Sequence, residues 1–123
     1  MNDVWAIKTK AIGKDNSDNP YLIANEWIAG SVAQFLGLPV PPFALMRKRD
    51  RRTVMFASIS FEGETTPRDV EPSVLWAKHP RLCTGILLFD ILIANCDRHA
   101  GNIKVDNRIA PKKVHVFDHE HAL

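Results

Sequence analysis

The longest apolar run of the chain, Leu82 to Ala94, ends abruptly in the polar octet Asn95-Cys96-Asp97-Arg98-His99-Ala100-Gly101-Asn102. Leu82, Ile86, Phe89 and Ile93 fall on one helical stripe, with Leu87, Leu88, Ile91 and Leu92 on the flanks. Such spacing predicts a helix from Pro80 or Arg81 to Ala94, apolar nearly all round and therefore central and buried. Asp90 is its one acidic residue. Buried, its carboxylate needs hydrogen-bond donors, and the octet one to two turns later can supply them. A helix that must be covered, followed at once by amide and charged groups, restricts the chain to folds that present a loop at the end of a core helix.

The run has 13 residues, short of the roughly 20 that span a bilayer, so no membrane is expected. Of 123 residues, 46% are hydrophobic and 24% charged, which describes one small soluble domain. The net charge of +2 is too near balance to point to nucleic acid. Two cysteines, Cys83 and Cys96, make no disulfide framework, and the expectation is a reducing, cytoplasmic setting without a secretory signal.

Upstream, Val4 to Ile7 reads as a strand that delivers Lys8, and a polar loop with Gly13, Asp15, Asn16, Ser17 and Asp18 follows. Asn19-Pro20 marks a helix start, with Asn as N-cap, and Gly37 marks its end, with Pro39 just beyond. One face of this helix carries Leu22, Glu26, Ala29, Ala33 and Leu36. A carboxylate on that face is costly to bury unless a cation meets it; the other reading puts Glu26 at the rim, in water. Phe43 to Met46 and Thr53 to Ser58 read as two strands. The basic run Arg47 to Arg52 is then their solvated hairpin turn, with an anion-binding patch as the rival reading. Residues 62–73 are loop-like, the expected hinge between a part at 1–60 and a part at 74–123. Ile103 to Val105 and Val114 to Phe117 form an expected antiparallel pair.

The octet and the end of that pair can do chemistry together. Magnesium favours oxygen ligands, and phosphoryl transfer needs a cation on the phosphates, acidic and amide metal ligands and an acceptor for the substrate proton. Asp97 and Asn102, five apart, can face the hydroxyl and the metal respectively. Asp118, at the strand end, can complete the metal site. Lys8 is the candidate for the phosphates and Glu26 the candidate to hold that lysine.

These residues carry a resemblance. Asn95 to Asn102, followed by Val116-Phe117-Asp118-His119, resembles the catalytic and metal-binding loops of HipA-like kinases, which are distant relatives of protein kinases and phosphatidylinositol kinases. Ala6-Ile7-Lys8 is similar to the strand lysine, and Asn25 to Ala29, running on to Leu36-Gly37-Leu38-Pro39-Val40-Pro41, to the helix with its glutamate. The resemblance implies an α+β, partial protein-kinase-like fold: a small antiparallel sheet with one helix, then a helical part carrying the catalytic loop and a β-hairpin.

It further implies ATP and Mg2+ as cofactors and a protein Ser or Thr as substrate. Lys8 would bind the α- and β-phosphates and pair with Glu26, with Lys10 in reserve should the register shift by two. Asp97 would be the catalytic base, and Asn102 and Asp118 would hold the metal. His99 would brace the loop, though phosphatidylinositol kinases leave a proton-transfer role open, and Arg98 would be structural. Members of the family carry a phosphate-covering loop before the lysine strand and further helices after the metal-binding Asp. Seven residues precede Lys8 and five follow Asp118 here, so the expectation is a domain truncated at both ends. Such a domain is expected to be inactive by itself, with metal or weak nucleotide binding surviving, and to have an exposed apolar face on the 82–94 helix that favours self-association.

Two rival readings remain at this stage. One is a metal hydrolase built on His99, His115, His119 and His121 with Asp118 and Glu120. The other is a non-catalytic pseudokinase or interaction module.

Overall fold

A computed structural model describes residues 11–59 and 68–117. It is an α+β structure, with three α-helices and two small antiparallel sheets. Strands β1 (Ala11–Lys14), β2 (Phe43–Arg47) and β3 (Val54–Ile59) form the first sheet in the order β1-β3-β2. Ala11 is opposite Ile59 and Phe43 opposite Ser58. The expected strand at Val4 to Ile7, like Lys8 and Lys10, lies outside the described residues. β1 itself is a correction, because the reading from sequence placed a polar loop around Gly13.

The basic run is the β2–β3 turn, as expected. Its geometry comes from Asp50, whose carboxylate accepts the N–H groups of Arg52 and Thr53, each at 2.9 Å, and the Thr53 hydroxyl at 2.5 Å. Those bonds, the Thr53 hydroxyl first, hold the Asp50 carboxyl below its ordinary range. Lys48 leaves the run to bond Asp15 beyond β1.

Helix α1 spans Leu22–Phe35. Asn19 does not cap it directly. Pro20 and Tyr21 form a preceding turn in which Asn19 Oδ1 accepts the Tyr21 N–H at 2.9 Å, and Asn16 Oδ1 accepts the Ile23 N–H at 2.9 Å. The far end is as expected. Gly37 takes φ 73°, and the Leu38 N–H donates to Ala33 O at 2.9 Å and the Gly37 N–H to Gln34 O at 3.0 Å, which closes the last carbonyls. Leu22, Glu26, Ala29, Gly30 and Ala33 are buried. Leu36 is exposed instead, since the chain has left the helix there.

Residues 62–73 are not all loop. Strand β4 (Arg68–Asp69) pairs with β5 (Ile103–Val105), which pairs with β6 (Val114–Val116). A two-residue strand has no periodicity to read, so only its partner reveals it. Helix α2 (Pro72–Lys78) follows with a proline in its first turn.

Helix α3 runs Pro80–Leu92 and buries Cys83, Ile86, Phe89 and Asp90. Its expected central position is corrected by its other face: Leu87, Leu88, Ile91 and Leu92 are each more than half exposed. Two clusters form the core. Leu75, Cys83 and Ile86 pack with Ile103, Val105, Val114 and Val116, while Phe89 and Ile93 meet the small residues Ala29 and Ala33 of α1. Among the described residues no helix is long and apolar enough to cross a membrane.

Candidate functional site

The octet starts from an unusual helix end. Ala94 takes φ 52°, the left-handed region, at a cost of about 1 kcal/mol for a residue with a Cβ. In return the Asn95 N–H bonds Asp90 O at 2.8 Å and the chain turns back on α3. Asn95 is buried; its side chain donates to Asp90 Oδ1 at 3.1 Å and accepts the Asp97 N–H at 3.2 Å. Arg98 forks onto the same carboxylate, Nε to Oδ2 at 2.9 Å and Nη2 to Oδ1 at 2.8 Å. The donors expected for a buried Asp90 are therefore present, and they come from the octet.

Asp97 is exposed. Its carbonyl accepts the Asn102 side-chain N–H at 3.0 Å. Asn102 is 3% exposed. Because the Asp97 carbonyl can only accept, the amide must turn its NH2 group there, and the opposite atom is Oδ1. Among the described residues no donor reaches that oxygen. A buried oxygen without a donor is suited to a hard cation.

His99 braces the turn. Its Nδ1 accepts the Gly101 N–H at 3.1 Å, and its carbonyl accepts the Asn102 N–H at 3.0 Å, which starts the short 3-10 turn Ala100–Asn102. A Cβ on Gly101 would stand 2.8 Å from the His99 ring, so a larger residue there would have to displace that ring. Phe117, the last described residue, donates its N–H to Asn102 O at 3.2 Å and accepts Arg98 Nη1 at 3.0 Å. Asp118, His119, Glu120 and His121 lie outside the described residues. Among those described, no group of three His, Cys, Asp or Glu side chains could hold a metal ion. Burial pushes the His115 imidazole below its ordinary range, with Lys113 adding to the effect.

Glu26 is 3% exposed, and a cation does meet it: Lys14 Nζ lies 3.1 Å from Oε1. The expected partner, Lys8, lies outside the described residues, and Lys14 was not singled out from the sequence. Its signal was parity. Lys8, Lys10 and Lys14 fall on one face of any continuous strand. Lys14 and Glu26 line a cavity of about 140 Å³ with Phe43, Phe56, Val116 and Phe117. The structure thus brings the lysine–glutamate pair to the strand exit at Phe117. Asp97 and Asn102 do not line that cavity. A second cavity, about 560 Å³, runs between α2, α3 and the octet, past Trp76, Leu87, Ile91, Cys96 and His99.

No curated protein and no solved structure matches the chain. The model of one family does, described as HipA-like kinase, over residues 2–123. That match takes in the octet, the Glu26 helix and the β5–β6 hairpin together, in the order the geometry connects them, and the chain therefore belongs to the HipA-like kinase family.

Proposed function

We propose that this HipA-like kinase chain is an ATP- and Mg2+-dependent phosphotransferase acting on a protein Ser or Thr hydroxyl. The observation that carries the reading is the buried Asn102 side chain, pinned through its NH2 group to Asp97 O with its carbonyl oxygen left without a donor among the described residues. Asn102 and Asp118 would hold the metal, which when bound neutralises phosphate charge. Asp97, exposed and held at its backbone N–H and carbonyl, would take the proton of the acceptor hydroxyl. His99 holds the loop's shape. Glu26 orients a phosphate-binding lysine. The family resemblance favours Lys8 for that role, and the 3.1 Å ion pair with Glu26 supports Lys14. A cytoplasmic setting agrees with two free cysteines.

Calorimetry of ATP binding with and without Mg2+, on the chain and on Asp118→Ala, tests the reading. Magnesium-dependent binding that the substitution abolishes supports it. No nucleotide binding, or binding indifferent to the substitution, overturns it. Lys8→Met and Lys14→Met in the same assay identify the phosphate lysine as the one whose loss weakens binding. The exposed apolar face of α3 favours a second reading, a non-catalytic interaction module, which retained structure without nucleotide binding would support.

A further inference from the structure

Arg98 has three bonds in two directions. Two go back to Asp90 in α3, and the third, from Nη1, goes forward to Phe117 O at 3.0 Å, beyond β6. The clamp is largely dry, with Arg98 and Asp90 side chains 13% and 8% exposed. Asn95 joins the same carboxylate and holds the Asp97 N–H. Asp97 therefore stands between two neighbours, Asn95 and Arg98, that are both anchored on one buried group. On the far side the Phe117 N–H reaches Asn102 O. The octet and the strand exit are closed into a ring: Asp90, Arg98, Phe117, Asn102, Asp97, Asn95.

We propose that Arg98, anchored on Asp90, is a positioning residue that sets the register of the Asp97–Asn102 loop against the exit of β6. On the kinase reading of this site, on which its catalytic consequence rests, that register sets the spacing between the base and the metal ligands. A guanidinium is required because its planar fork serves a carboxylate and a carbonyl at fixed angles, whereas an ammonium offers a point charge without that geometry. Arg98 itself touches no reacting atom.

Two variants separate positioning from simple stabilisation. Arg98→Lys keeps the charge beside Asp90 and loses the fork. Asp90→Leu/Arg98→Met removes the pair together, which avoids stranding a buried charge, and circular dichroism confirms that each variant is folded before it is compared. Hydrogen exchange is the first readout and needs no activity. The Asn102 and Phe117 amides should exchange faster in both variants, while those of β2 and β3 stay as in the parent. The second readout is phosphoryl transfer: kcat should fall roughly 10- to 100-fold, the usual range for groups that orient ligands from behind, with KM for ATP nearly unchanged.

Unchanged protection of Asn102 and Phe117 overturns the inference, whatever the activity. An active parent whose kcat survives Arg98→Lys overturns its catalytic consequence. Failure of the parent to bind nucleotide counts against the kinase reading alone, and the exchange measurement still decides the role of Arg98.

Discussion

Lys14 and Glu26 meet at 3.1 Å across the gap between β1 and α1, with the carboxylate nearly dry and the lysine partly wet. Such a pair is worth more as a constraint than as a source of stability, because desolvation offsets much of its attraction. Lys14→Met, which withdraws a donor from a buried carboxylate, should cost roughly 1–3 kcal/mol. Adding Glu26→Gln should recover most of it. Urea midpoints of the two variants check this, and a double variant as unstable as the single one would refute it.

Gly30 faces the Phe43 ring so closely that an added Cβ would stand 2.8 Å from it. The ring cannot simply swing away, being edge-on to Trp27 at 5.3 Å and stacked on Phe56 at 5.2 Å. Gly30→Ala gains up to about 1 kcal/mol of helix propensity and loses roughly 1–3 kcal/mol to overpacking. The expected result is a lower melting temperature. Trimming the ring with Phe43→Leu in the same chain should relieve the Gly30→Ala penalty.

Acid should loosen the β2–β3 turn at Asp50. Its folded carboxyl titrates below the unfolded value of 3.8, so the unfolded chain binds the proton first. The stabilisation is present above about pH 4 and is lost as pH falls through the folded value. Asp50→Ala should flatten that part of the pH dependence of the unfolding midpoint while leaving the region above pH 5 parallel to the parent. Identical acid limbs for both proteins would show that Asp50 does not contribute.

The outer face of α3 should drive association. Leu88 and Leu92, at 61% and 65% exposure, lie one turn apart beside Ile91. Leu88→Lys/Leu92→Glu should lower the apparent mass seen by light scattering at high concentration, without lowering the melting temperature, since neither side chain is in the core. A lower melting temperature with unchanged mass would contradict this.

Local features were legible from residue order alone. Gly37 with Pro39 marks the end of α1 because only a residue free at positive φ closes that turn cheaply. The β2–β3 turn is placed by the basic run between two β-prone segments, and the octet declares itself by the change from apolar to amide and acidic residues. The burial of Asp90 and the source of its donors could also be reasoned out, since a carboxylate on an apolar helix must find donors nearby.

Other features depend on what meets what, and no local pattern encodes that. β4 has two residues and exists through its pairing with β5. That Lys14 meets Glu26 depends on the register of β1 against β3, which a period of two does not set by itself. The covered face of α3 is chosen by Ala29 and Ala33, small enough to admit Phe89 and Ile93. Residue order by itself determined which polar groups the Asn95–Asn102 loop carries, because they are local in sequence. Tertiary structure alone decided the loop's second anchor, because Arg98 reaches Phe117, 19 positions further along the chain.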